Sequence, residues 1–203
     1  MTFVCHNVSL HSANILIEQK NMQKFSKWVL KTTGWKTVVT VEEPPKSVVC
    51  VAPHTSNWDF IMGELYYWSL GRNASFLMKK SWFFFPLGNL LRNMGGVPVN
   101  RSKRTSVTEQ MAEEFGKRET FHLAVTPEGT RSLVKKWKMG FYHIAVNAGV
   151  PIELAYFDYA KKELGITSVF YPTGDEKADL EKIQAYYKNV SAKNPKNFYI
   201  PGK

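Results

Sequence analysis

The sequence predicts a single α/β domain with a mixed, largely parallel central sheet flanked by helices and led by an N-terminal amphipathic helix. Three observations predict it. Short apolar runs rich in β-branched and aromatic residues recur from Lys36 to Tyr171. Stretches of helical period separate them. Several of the runs end in a polar turn containing glycine or a helix-capping residue, as strand–turn–helix units do.

The 203 residues suit one domain with a sizeable core. Residues 1–21 show no clear period and read as a loose extension, which leaves 22–203 as the domain. From Met22, Phe25, Trp28 and Val29 share one helical face, Lys24, Lys27 and Lys31 the opposite one, and Gly34 supplies a stop. Such a helix suits an anionic membrane surface; it equally suits core packing with a solvated lysine face. Lys36–Val41 reads as a strand, Glu42–Pro45 as a turn and Ser47–Ala52 as a second strand. A helix is expected over about 58–70 and a strand over Ala74–Met78, ending at Lys79 and Lys80. The run Ser81–Leu91 is broken by Pro86 and Gly88. It admits three readings: buried core, which would take about half of its side chains, an apolar channel wall, or a membrane-dipping edge. Gly95–Arg101 contains a short strand, Thr105–Arg118 a helix and Phe121–Val125 a strand. A helix starts near Gly140, strands follow at Val150–Tyr159 and Ile166–Tyr171, and a helix at 176–190 precedes an irregular tail.

A net charge of +10 calls for an anionic partner: nucleic acid, anionic lipid or a phosphorylated substrate. Cys5 and Cys50 have no metal-ligand spacing, and Cys50 lies in an apolar strand as a small core residue. A reducing compartment without disulfides is expected. No apolar run reaches the roughly 18 residues of a membrane span, and no secretory leader is expected.

The chemistry concentrates in His54-Thr55-Ser56-Asn57-Trp58-Asp59. His54 ends a strand. Thr55, Ser56 and Asn57 are able to cap the next helix, and Asp59 falls in its first turn, within reach of His54. A carboxylate that fixes an imidazole tautomer makes it a general base. The same residues also describe a strand-end histidine followed by an acidic turn that favours the helix dipole. Lys79, Arg101 and Glu128 end strands as well, and ligands gather at the carboxyl ends of such sheets.

These motifs resemble those of the glycerolipid acyltransferases, the lysophosphatidic acid acyltransferase-like family. His54–Asp59 matches its His-x4-Asp block. Gly96–Arg101 resembles the second block, Pro127–Ser132 matches the third, and Val150-Pro151-Ile152 resembles the fourth. Trp137-Lys138-Met139-Gly140 resembles the stretch that follows the third. The blocks stand in the expected order over about residues 25–160.

The resemblance implies transfer of a fatty acyl group from acyl-CoA or acyl-carrier protein to a hydroxyl of a lysophospholipid such as 1-acylglycerol-3-phosphate, in phospholipid biosynthesis. His54 would be the base and Asp59 its orienter, with the acceptor hydroxyl as nucleophile. Arg101 would hold the acceptor phosphate. Glu128, Gly129, Thr130 and Arg131 would belong to the acceptor site, Arg131 either binding phosphate or pairing with Glu128 to hold the turn, with Lys79 and Lys138 as auxiliary cations or solvated surface lysines. No cofactor beyond the co-substrate is implied. The expected partners are the lysophospholipid, the acyl thioester and an anionic membrane surface, not nucleic acid, with a peripheral place on the cytoplasmic face of the inner membrane. Asn100, Ser81-Trp82 and Ile152–Ala155 depart from the family pattern and leave open another lyso-lipid, such as a lyso-aminolipid. A non-enzymatic basic membrane- or nucleic-acid-binding protein, and a hydrolase using the same base on water, are the other readings.

Overall fold

Apolar runs too short for helices pair with one another in the structure, a computed structural model that describes residues 3–99 and 106–202. The elements in chain order are α1 (Phe3–Thr32), β1 (Lys36–Val39), β2 (Lys46–Ala52), α2 (Asn57–Ser69), β3 (Ser75–Lys79), α3 (Leu87–Asn93) and β4 (Gly96–Val99). Then follow α4 (Val107–Gly116), β5 (Phe121–Val125), α5 (Gly140–Ala148), β6 (Ile152–Asp158), β7 (Glu163–Phe170) and α6 (Glu176–Tyr186). The seven strands form one sheet in the order β1-β7-β6-β2-β5-β3-β4. Every neighbouring pair is parallel except β6 with β7, which are antiparallel. The mixed, largely parallel α/β sheet expected from the sequence is therefore present.

The central strands are buried on both faces, which is why they read as continuous apolar runs. Val48, Cys50, Leu123 and Ile152 pack with Phe115, Phe141 and Tyr187 beneath α4, α5 and α6. Val49, Ala155, Leu164 and Ile166 pack with Leu30, Met62, Tyr66 and Tyr67 beneath α1 and α2. Each large aliphatic side chain so buried contributes about 1.5–3 kcal/mol.

Two expectations need correction. Residues 3–21 continue into the helix that runs to Thr32 and are not a loose extension. In that helix Ser26 and Leu30 face inward while Phe25 and Trp28 remain exposed, Trp28 by 62%. The helix therefore docks through Ser26 and Leu30 and leaves these two aromatics exposed. The Ser81–Leu91 run is not half core either: Trp82, Phe84, Phe85 and Leu90 are exposed, Phe85 by 86%. Among the described residues no helix is long and apolar enough to cross a membrane.

Polar groups plug the end of the sheet opposite the motif turns. The Ser47 hydroxyl donates to Glu153 Oε2 and stands 2.8 Å from His122 Nδ1. A hydroxyl has one proton to give, so His122 Nδ1–H is the donor to Ser47. His122 Nε2 lies 3.5 Å from Glu43, which pairs with Arg72 at 2.8 Å. Sequence periodicity read Glu153 as part of an apolar strand, and this network is what makes its burial tolerable.

Gly165 shows how tightly β6 and β7 meet. A Cβ there would stand 2.5 Å from the Tyr156 ring. Tyr156 cannot swing away freely, because its hydroxyl donates to Glu163 at 2.5 Å and its ring packs on Tyr186. Gly165→Ala is expected to cost about 1–3 kcal/mol, the usual range for overpacking, read from the midpoint of urea unfolding.

Candidate active site

The turn after β2 is built by hydrogen bonds within six residues. Ser56 caps α2, its Oγ accepting from Trp58 N–H at 3.2 Å. Asp59 completes a capping box, with Oδ2 accepting from Thr55 and Ser56 N–H at 2.7 and 2.8 Å. The same oxygen lies 3.5 Å from His54 Nδ1. Asp59 is only 1% exposed. Burial pushes its pKa up, but hydrogen bonds from His54, Tyr159, Ser56 and Thr55 outweigh that and hold it below the usual aspartate value. The strand-end His54 and the Asp59 that reaches back to it are thus brought together as expected.

Glu128, just past the end of β5, sits beside this turn with 2% exposure. Its Oε2 accepts the His54 backbone N–H at 2.8 Å, and among the described residues Oε1 has no partner. Burial, with a smaller contribution from the Asp59 charge, pushes its pKa to about 8 against the opposing His54 hydrogen bond. Glu128 is therefore largely a neutral acid at pH 7, able to donate as well as accept. Gly129 follows at φ +65°, and a Cβ there would meet Lys138 Nζ at 2.9 Å. Glycine thus lets the lysine stem lie against the loop. The loop is closed by the Lys138 N–H donating to the Pro127 carbonyl at 2.7 Å. Thr130 Oγ1 accepts from Ser132 N–H at 3.4 Å, a local turn contact.

His54 and Asp59 stand in the wall of a cavity of about 690 Å³ between α2 and the sheet. Its walls are mostly apolar, including Phe60, Ile61, Phe76, Met78, Leu91 and Phe157, and Arg131 also lines it. This volume is within the usual range for a small-molecule site. Leu91 gives part of the Ser81–Leu91 run the channel-wall role considered for it. Glu64 puts a carboxyl into the apolar wall, where burial raises its pKa to about 7.

The structure gathers His54, Asp59, Glu128 and Arg131 at one edge and sets Gly129, Thr130 and Lys138 in the adjoining loop. Arg101 lies outside the described residues, as does the Lys79 side chain. Sequence reasoning missed Tyr159, whose hydroxyl donates to Asp59 Oδ1 at 2.6 Å. It also missed Asn194, which donates to Thr55 through its backbone at 3.1 Å and its side chain at 2.8 Å. Tyr159 follows a strand's carboxyl end, the same signal that singled out His54 and Glu128. Asn194 carries no local signal.

Because the folded Glu128 binds a proton that the unfolded one releases above about pH 4.5, its contribution to stability is full below that pH and drains as pH rises to about 8. Glu128→Gln keeps an acceptor for His54 N–H and cannot ionise. The variant should gain stability over wild type between pH 5 and 8, with the two converging toward pH 4. Thermal unfolding across that range reads the difference.

No curated protein matches the chain. Among solved structures, the 1-acyl-sn-glycerophosphate (LPA) acyltransferase PlsC from Thermotoga maritima superposes with a TM-score of 0.55 at 21% identity. The match covers 86% of this chain and 81% of that one. That likeness is one of fold. A family model described as Acyltransferase matches residues 21–153, more than half of the chain, taking in the His54–Asp59 turn, the Glu128–Arg131 loop and the cavity strands β2, β3 and β5; the chain belongs to the acyltransferase family.

Proposed function

We propose that this acyltransferase moves a fatty acyl group from acyl-CoA or acyl-carrier protein to the hydroxyl of a lysophospholipid, with 1-acylglycerol-3-phosphate as the leading acceptor. The observation that carries the reading is that the His54–Asp59 pair opens onto an apolar cavity large enough for an acyl chain.

On this reading His54 Nδ1–H faces the Asp59 carboxylate, which leaves Nε2 free to take a proton. As the acceptor hydroxyl attacks the thioester carbonyl, its proton passes to Nε2, and Asp59 stabilises the imidazolium. Collapse of the tetrahedral intermediate breaks the carbon–sulfur bond, and the thiolate recovers the proton from His54. Ester and free thiol result. The 3.5 Å His54–Asp59 separation is loose for a hydrogen bond, as base–carboxylate pairs often are before substrate closes the site. Arg131 and Lys138 supply positive charge at the edge where a phosphate would lie, and Arg101 is assigned the same task by its place in the second block. Protonated Glu128 offers a hydrogen bond to acceptor oxygen.

The acceptor lives in a bilayer, and the exposed aromatics suit a peripheral approach to an anionic leaflet. Trp82, Phe84 and Phe85 follow β3 at the carboxyl edge of the sheet, the edge that carries His54. Phe25 and Trp28 are exposed on a helix that also bears Lys24, Lys27 and Lys31. Such a surface combines apolar insertion with charge attraction that salt screens.

His54→Ala should lower acyl transfer by about 10²–10⁴-fold while folding is retained. The assay runs a panel of lysolipids with acyl-CoA and acyl-carrier protein; release of free fatty acid independent of acceptor would establish a hydrolase instead. Liposome flotation with anionic lipid should show binding at low salt that weakens as salt is raised. Replacing Phe84 and Phe85 by serine should weaken it further, and absence of binding by the wild-type protein at low salt would reject the peripheral account.

A further inference from the structure

Four residues beyond residue 153, where the family match ends, reach back to the active-site turns. Asn194 holds Thr55 by two hydrogen bonds. Asn197 Nδ2 donates to the Arg131 carbonyl at 3.1 Å. The Lys193 ammonium lies 5.0 Å over the Trp58 ring and 5.8 Å from that of Tyr159. Tyr159 itself donates its hydroxyl to Asp59. One stretch of chain, 193–197, thus touches both the turn that presents His54 and the loop that presents Glu128 and Arg131.

Tyr159 is held from three directions. Its backbone N–H donates to the Ser191 carbonyl at 2.8 Å. Its ring meets Trp35 edge-on with centroids 5.0 Å apart. The turn that carries it is fixed by Asp158, whose Oδ1 accepts from Ala160 and Lys161 N–H at 3.1 Å each. So restrained, the hydroxyl has one partner to serve. The Asp59 Oδ2 already accepts two backbone N–H groups and faces His54; Tyr159 engages the other oxygen. A carboxylate anchored at both oxygens cannot rotate about its Cβ–Cγ bond, and its plane toward His54 is set.

We infer that Tyr159 is a positioning residue for acyl transfer, fixing the Asp59 carboxylate against His54, and that the 191–197 segment holds Tyr159 and the two active-site turns in mutual register. The inference rests on His54 being the base. Tyr159 acts on the reaction in two ways. It orients Asp59, and by sharing the carboxylate's negative charge it limits how strongly Asp59 stabilises the imidazolium. The groups facing Asp59 are His54 and the Thr55 and Ser56 N–H from its own turn, Tyr159 from the β6–β7 turn, and the neighbouring Glu128 carboxyl. The Lys193 ammonium lies over the Tyr159 ring.

The test is the pH dependence of kcat and kcat/KM for wild type, His54→Ala, Tyr159→Phe and Asn194→Ala, using 1-acylglycerol-3-phosphate and acyl-CoA. Tyr159→Phe keeps the ring packed on Trp35. Its kcat should fall about tenfold with KM for both substrates little changed, the signature of a contact that matters in the transition state. The acid limb of its profile should move up by about half a pH unit, because Asp59 then holds the imidazolium more strongly. Asn194→Ala leaves Tyr159 in place and should lower kcat with no such shift. A merely structural role would lower the urea midpoint and leave the acid limb where it is. Wild-type kcat and acid limb in Tyr159→Phe, with His54→Ala inactive, overturns the Tyr159 assignment while the base survives. Wild-type kcat in Asn194→Ala overturns the role of the segment. Full activity in His54→Ala removes the base itself, and the inference falls with it.

Discussion

A carboxylate cannot be taken out of water unless donors replace the water, and Asp59 is where this chain meets that requirement. Isolated, its burial would cost several kcal/mol or force protonation. Two backbone N–H groups are presented to it only because the chain turns sharply between β2 and α2. The turn can be sharp only because Ser56 caps the helix. The imidazole is in reach only because β2 ends at the same point. Helix start, strand end and histidine position are therefore one constraint seen from three sides.

Glu128 shows the opposite solution a few ångströms away. It takes one backbone donor where Asp59 takes two, and it sits close to an existing negative charge. The two carboxyls thus divide: one ionised, one neutral near pH 7. Paired acids whose environments separate their proton affinities are a recurring arrangement where one group must balance charge and another must give a hydrogen bond. Neither side chain could serve the other's task without rebuilding its turn.

Much of this was legible because it is local. The strand at Phe121–Val125 and the helix start at Gly140 appear where apolar runs and stop signals put them, and strand ends elsewhere shift by a few residues. The cap at Ser56 and the Asp59–His54 approach are settled by residues within one turn of helix. What escaped depends on distance along the chain. Tyr159 lies 100 positions from Asp59 and Asn194 lies 139 from Thr55, and no periodicity encodes such pairs. The exposure of Phe85 was illegible for a related reason: an apolar run states its hydrophobicity but not which surface is left to cover it. Reversal of β7 relative to β6 likewise follows from a tight turn at Asp158–Lys162 rather than from strand composition.

The bridge from Asn194 to Thr55 also bears on the order in which the protein comes into being. Chain emerging from a ribosome can close local turns at once, but a contact across 139 positions waits until the later partner has been made. Until then the His54 turn has its helix cap and lacks its outer brace. A nascent or cleaved chain ending before the 191–197 segment would carry the family motifs and still lack the hydrogen bonds from Asn194 and Asn197 to the two motif turns. The brace on the His54 turn thus arrives late, with a stretch of sequence far along the chain from the motifs it touches.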